Sequence, residues 1–413
     1  MSPASTVPPA GPTPWRHDAG LIGLVGIAHL VSHFCQLLLA PLFPWLKDAL
    51  HASYTELGFL MTLFFVVSCV VQTSSGFLVD RFGPRPILFA GLGLLATAAF
   101  GFAASPDYWT MAFFSIVAGV GNGVFHPVDY TLINRKVSAP RLGHAYSVHG
   151  ITGALGWALA PVLLVPLAIA FGWRLALVGA GVFATAVLAL LWLHRARLQL
   201  PPPTPSAAGA QAAKGGSSLD FLRLPAVWMC FAFFFVYAVI LSGVQAFAPE
   251  AARHLHQVPV ALAATCLSVY MVCSAGGMVL GGFLAADAAR CERVVGAAFG
   301  AAALVALAIG FLSLPAFAVP VLFGAMGFAS GIAGPSRDLL VKRSTPDNAS
   351  GRVYGVVYSG LDIGQAVAPL AFGILMDQRN YQGVWLGLVV FQGLLIASAF
   401  NVRKARRTAL AAA

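Results

Sequence analysis

Apolar positions run along this chain in unbroken blocks of about 20 residues, too long for strands and free of the two-residue alternation of a membrane barrel. Twelve blocks fall near residues 20–46, 55–79, 86–105, 109–134, 144–171, 174–194, 224–248, 259–286, 293–313, 316–341, 353–376 and 382–401. Each can cross a hydrocarbon layer about 30 Å thick as a helix, the shape that satisfies every backbone group within one segment. The pattern predicts an all-α integral membrane protein of twelve transmembrane helices, six on either side of a polar connector. Residues 1–19 are Pro-rich and lack the apolar core of a signal peptide, so a disordered tail is expected there. A six-helix half follows over 20–195, then a low-complexity linker over 196–222, a second half over 223–401 and a basic tail over 402–413.

The two halves share one template. Gly119, Gly123, Pro127, Arg135, Gly143, Tyr146, Gly156 and Ala160-Pro161 return 208 positions later as Gly327, Gly331, Pro335, Arg343, Gly351, Tyr354, Gly364 and Ala368-Pro369. The same offset carries Ala40-Pro41 onto Ala248-Pro249. A constant offset over separate stretches means homologous halves with the same chain direction. Parallel apolar repeats are a mark of secondary transporters, whose substrate is handled where the halves meet.

Composition agrees with the pattern: 59% hydrophobic and 9% charged residues exclude a soluble globule. The net charge of +10 would suggest nucleic acid in a soluble chain, but its placement gives another meaning. With both termini in the cytoplasm, Lys47, Arg174, Arg253 and Arg379 fall outside, Arg337 falls within a span, and the other 19 of 24 Lys and Arg fall inside. That bias orients the chain and leaves the bilayer, with no nucleic acid, as its large partner. The six Cys are scattered without a Cys-x-x-Cys pair and read as packing residues. No nucleophile elbow, His-Glu-x-x-His or phosphate loop is present, so neither an enzyme nor an ATP-driven pump is expected, and no cofactor.

Chemistry concentrates in a few spans. His29 and His33 are four apart on one face of span 1, roughly 13–20 Å from its terminal end. They are either packing histidines or a cavity-facing pair. In span 4, Asn122, His126 and Asp129 follow an i, i+4, i+7 stripe, with Asp129 about 10 Å and His126 about 15 Å deep. A charge at such depth is costly unless paired or wet, so Asp129 is a functional candidate, with a structural ion pair as the alternative. Pro127 frees a carbonyl one turn earlier and predicts a bend. His149 stands in a small-residue ladder that suits close packing of span 5. The second half offers Gln245, then Arg337-Asp338 where span 4 has Asp129-Tyr130, and Asp362 about 15 Å deep in span 11.

The loop after span 2, Gly76-Phe-Leu-Val-Asp80-Arg81-Phe-Gly83-Pro-Arg85, resembles the signature of the major facilitator superfamily, and a degenerate copy stands at Gly282, Asp287 and Arg290. The resemblance implies that this loop latches the cytoplasmic side, with Asp80 reaching Arg135 or the start of span 11. It also implies that spans 1, 4, 7 and 10 wall the cavity. His29, His33, Asn122, His126, Asp129 and His149 would then bind substrate, faced by Gln245 and Arg337. Asp129 is the expected proton carrier, tuned by His126, with Asp362 and Asp338 as competitors. Ala28-His29-Leu30, Val124-Phe125-His126-Pro127 and Gly143-His-Ala-Tyr-Ser147 are similar to the fosmidomycin-resistance-like efflux branch, from which Val128-Asp129 and His33 depart. That branch implies a monomer exporting a small organic compound against protons at the bacterial inner membrane. The alternatives are transport of a transition-metal ion or chelate held by His29, His33 and His126, and a receptor built on a transporter scaffold.

Overall fold

The computed structural model describes the backbone of residues 15–138, 141–200, 225–284, 291–344 and 350–412. Side chains at 17, 80, 143, 225, 226, 337–344, 350–358, 399 and 401–412 lie outside the description, which removes Asp80, Arg337 and Asp338 as side chains. Among the described residues, twelve helices are long and apolar enough to cross a membrane, and no strand is present. These spans are Asp18–Leu50, Tyr54–Val79, Pro84–Ala104, Tyr108–Lys136, His144–Phe171, Trp173–Leu193, Val227–Ala246, Val260–Leu284, Cys291–Phe311, Ala318–Ser336, Ser359–Asp377 and Tyr381–Ser398, numbered 1–12 below.

Proline positions decide where spans bend. Span 1 is not one helix: Trp15–Gln36 gives way to a 3-10 turn at Ala40–Leu42 and a short helix at Phe43–Leu50. Span 7 repeats the device, Pro225–Ala246 being followed by Ala248–His256. Pro41 and Pro249 lack an N–H and so begin new helical turns more readily than they continue old ones. Span 4 breaks between Tyr108–Asn122 and Phe125–Lys136. Pro127 leaves the Gly123 carbonyl without its helical donor, and Ser75 Oγ of span 2 donates to it at 3.3 Å. Gly123 also permits the crossing itself, since a Cβ there would lie 2.6 Å from the Ser68 carbonyl oxygen. Its repeat partner Gly331 meets Ser274 in the same way.

The halves meet along spans 2 and 11 and along spans 5 and 8. Thr62 Oγ1 donates to the Ala366 carbonyl at 2.6 Å, and Ser268 Oγ donates to the Ala158 carbonyl at 2.8 Å. Both contacts lie toward the face that carries residues 37–54. At that face the N-terminus of span 2 is capped twice. Ser53 and Glu56 form a capping box. From the other half, the Asp377 carboxylate accepts from Tyr54 N at 2.7 Å, Thr55 N at 2.9 Å and Thr55 Oγ1 at 2.6 Å. Tyr54 also donates through its hydroxyl to Glu250 Oε1 at 3.0 Å. A carboxylate on unpaired helix N–H groups meets the positive end of the dipole as well as free donors.

On the opposite, terminal face, Gly83 has φ 80°, a left-handed conformation that ends one helix at Phe82 and starts the next at Pro84. Gly76 has no neighbouring atom where its Cβ would be, so it makes no close helix crossing in this arrangement. Arg81 is exposed over the Phe82 ring, Arg85 Nη1 donates to Gln199 Oε1 at 3.0 Å, and Arg135 is exposed. The latch expected between Asp80 and Arg135 lies outside the described residues.

Two predictions follow from the cross-half cap. Asp377→Ala removes three hydrogen bonds made to one helix end. We expect it to raise labelling of single-cysteine reporters on the first-loop face about tenfold; unchanged labelling would show that the cap does not hold this face shut. Burial pushes Glu250 up, but bonds from His254 and Arg253 outweigh it and hold this carboxyl down at about 2. A depressed folded-state value means a contribution present above the ordinary carboxylate range and lost only as pH falls toward 2. Labelling at this face should therefore not change between about pH 5 and about pH 8 through Glu250. A Glu250→Gln variant that introduces or removes a pH dependence in that window would contradict this.

Candidate functional site

Spans 1, 4 and 5 bring His29, His33, His126, Asp129 and His149 into one cluster, all buried but the half-buried His126. Asp129 is 0% exposed. His149 Nε2 lies 3.1 Å from its Oδ2, and His29 Nδ1 lies 3.0 Å from the same oxygen, close enough for an ion pair but off-line for a hydrogen bond. The His29 and His149 rings stack at 3.6 Å, and the His33 ring stacks on Trp157 at 4.2 Å. Room for this comes from Gly153, where a Cβ would lie 2.7 Å from His33 Cε1 and 3.1 Å from His29 Nε2. The glycine ladder of span 5 thus serves the imidazoles as well as helix packing.

The break in span 4 interrupts the expected stripe. Asn122 belongs to the helix before the break and donates through Nδ2 to Ser68 Oγ at 2.8 Å, while its Oδ1 accepts from Gln36 Nε2 at 3.3 Å. Trp157 Nε1 donates to Gln36 Oε1 at 2.9 Å, which closes a chain from span 2 to the ring under His33. His126 turns instead to span 2: its Nδ1 donates to Gln72 Oε1 at 2.9 Å. Gln72 Nε2 donates in turn to Asp362 Oδ2 at 3.0 Å, so Asp362 is joined to the histidine side across the seam between halves.

Gln245 is placed elsewhere. It is buried, and it lines a cavity of about 50 Å³ with Ala40, Pro41, Pro161, Pro249 and Arg253, none of which belongs to the cluster. The expected facing positions of Arg337 and Asp338 lie outside the described side chains. Gln36, Ser68, Gln72 and Trp157 are site residues that sequence reasoning did not reach. The signal available was a polar group at mid-span, one or two turns from a histidine or asparagine on its own helix or its neighbour.

Chemically, the cluster is a carboxylate cut off from water between two imidazoles, with its Oδ1 unpartnered. Such a unit can hold one proton in several places and change its net charge by gaining or losing it. Two donor triads, His29/His33/His126 and His29/Asp129/His149, each have their ligand atoms within 4.8 Å of one another, a spacing that also suits a metal ion.

The chain matches the family model described as Major Facilitator Superfamily over residues 25–369 and 246–412. It is 26% identical to the fosmidomycin resistance protein of Escherichia coli over 37% of this chain and 38% of that protein, so it spans under two fifths of that relative. It is 25% identical to the probable nitrate/nitrite transporter NarK2 of Mycobacterium tuberculosis over 95% of this chain and 98% of that protein. In fold it is similar to a bacterial homologue of the human lysosomal transporter Spinster in an inward-facing and occupied conformation. That likeness has a TM-score of 0.74 and 15% identity, over 96% of this chain and 98% of the other.

A methyl group at position 153 would push the two span 1 rings without altering any polar group. Gly153→Ala should lower transport at least about tenfold while keeping the protein folded, because the displaced His29 ring leaves the reach of Asp129. Size-exclusion behaviour checks folding; full activity in a folded Gly153→Ala protein would mean the ring positions do not matter.

Proposed function

Because the chain belongs to the major facilitator superfamily, we propose that it is a secondary active transporter that moves a small organic solute across the inner membrane by alternating access. Asp129 carries the coupling proton in this reading, and export is the direction. The observation behind it is Asp129 itself: a carboxylate of zero exposure, deep in a span, held between His29 and His149. Unpaired charge is costly in hydrocarbon, so a carboxylate kept there beside titratable partners has a use that an amide or leucine would not serve. His126 stands one turn earlier on the same helix, bonded to Gln72, and reports the state of the cluster to the seam. The seam along spans 2 and 11, closed in this arrangement at the first-loop face, supplies the moving boundary that alternating access requires. Small-solute export is consistent with the names of relatives that confer fosmidomycin or multidrug resistance.

Transition-metal cargo is the competing reading, favoured by the two donor triads. First-row metal at one equivalent in protein purified without chelator would support it. A receptor that binds without transporting is separated by flux.

The test is a panel of small organic anions, cations and zwitterions, with nitrate included, offered to proteoliposomes under an imposed pH gradient. The parent should concentrate at least one compound in a gradient-dependent way. Asp129→Asn should lose the gradient dependence, while exchange without a gradient stays measurable within about tenfold of the parent. If Asp129→Asn still couples normally and Asp362→Asn does not, the proton carrier is Asp362. No gradient-dependent flux of any compound would contradict the transporter reading.

A further inference from the structure

We infer that Tyr130 and Tyr146 form a subsite at the terminal end of the transport path, and that the solute it takes carries a flat aromatic ring. The inference rests on the transporter reading above and narrows its small organic solute to one chemical class.

The observation is a ladder of rings. Trp157 stacks on His33 at 4.2 Å, His33 lies 4.3 Å from His29, and His29 stacks on His149 at 3.6 Å. The series continues toward the terminal face, where the Tyr130 ring lies 5.3 Å from His149 and 5.7 Å from Tyr146. His29, His33 and His149 are buried, whereas Tyr130 is 38% exposed and Tyr146 is 39% exposed. The ladder thus ends in two open rings. Their planes are tilted by 47°, which makes a wedge with an aromatic surface on either side. Aromatic groups prefer tilted or offset partners at about 4.5–7 Å, so the group that best extends this series is another ring.

Tyrosines near a helix end commonly anchor a span at the lipid headgroups. These two face inward instead. His126, one turn before Tyr130 on span 4, has its ring stacked on Tyr130 at 6.0 Å. It is bonded to Gln72, and Gln72 to Asp362 of the other half, so this face of span 4 looks onto the seam. Span 5 agrees. A helix turns by about 100° per residue. On span 5, His149 and Gly153 point to spans 4 and 1, while Pro161 and Val165 line the cavity shared with spans 7 and 8. Tyr146 and Gly150 fall between those two directions, and the exposed Leu155, Val162 and Ile169 lie on another face.

The wedge is both held and open. The Tyr146 hydroxyl donates to Asn134 Oδ1 at 2.6 Å, which ties the ring on span 5 to span 4. Gly150, one turn further along span 5, has no atom within 4 Å of where its Cβ would lie, so space remains beside the Tyr146 ring. A ring fixed before the ligand arrives loses little freedom on binding it.

The test compares compounds that differ in aromaticity and little else. The pairs are benzoate with cyclohexanecarboxylate, benzylamine with cyclohexylmethylamine, and benzyl alcohol with cyclohexylmethanol. Binding is measured by saturation-transfer NMR on the full-length protein in nanodiscs, with binding to empty nanodiscs subtracted. In at least one pair the aromatic member should bind about fivefold more tightly, and that pair gives the charge of the solute. Tyr130→Leu and Tyr146→Leu should each reduce the preference below about twofold, whereas Tyr130→Phe and Tyr146→Phe should keep it. Gly150→Leu fills the space beside the wedge and should weaken the aromatic member at least about fivefold without altering either tyrosine. Size-exclusion behaviour checks folding; if the leucine variants of the tyrosines fail to fold, the phenylalanine and Gly150 variants carry the test. Equal binding within every pair, no binding of any compound up to millimolar concentration, loss of the preference in the phenylalanine variants, or full binding by Gly150→Leu would overturn the inference. The readout uses neither flux nor a gradient. A chain that prefers rings but moves no solute contradicts the transporter reading alone, and a working transporter without the preference contradicts this inference alone.

Discussion

An apolar bundle in lipid offers a buried carboxylate no water, and this constraint organises the interior of the N-terminal half. Asp129 sits at zero exposure and has to be neutralised by protein groups. His29 and His149 provide that from spans 1 and 5, and the need to bring two rings to one oxygen sets how closely those spans approach span 4. Gly153 and the break after Asn122 are consequences of the same need. The first makes room for the rings, and the second turns Asn122 toward span 2 while Asp129 turns toward spans 1 and 5.

The seam between halves uses a different economy of contacts. At the first-loop face, closure depends on the dipole and free N–H groups of a helix end, on which Asp377 acts. Deeper, Gln72 lies between His126 and Asp362 and joins the halves side chain to side chain.

Much of this was legible in the residues. Twelve spans followed from hydropathy because a hydrocarbon layer sets helix length directly, and the repeat followed from an offset that the glycine crossings at Gly123 and Gly331 then displayed in three dimensions. Pro127 marked the bend, although Ala40-Pro41 was legible as a repeated motif and not as the end of a helix. His29, His33, His126 and Asp129 were legible because helical spacing gathers them on faces. His149 was named as a substrate residue within a glycine ladder that suits packing, but its contact with Asp129 is decided by how spans 4 and 5 pack. Gln36, Gln72 and Trp157 were not legible for that reason too: each is a single polar group whose partner lies on another span, and no local pattern names it. Asp362 stood out as an acid deep in a span, but its bond to Gln72 depends on the joining of the halves.

In the proposed role, Asp129 exchanges a proton within its imidazole cage. Infrared titration of the purified protein tests this without a substrate, since a carboxylic acid in apolar surroundings has a carbonyl band separate from amide and carboxylate absorption. The account predicts that the parent shows such a band, that it titrates together with imidazole ring modes, and that Asp129→Asn removes it while Asp362→Asn leaves it. A titrating band that survives Asp129→Asn, or an Asp129 that stays ionised across the whole accessible range, would contradict it.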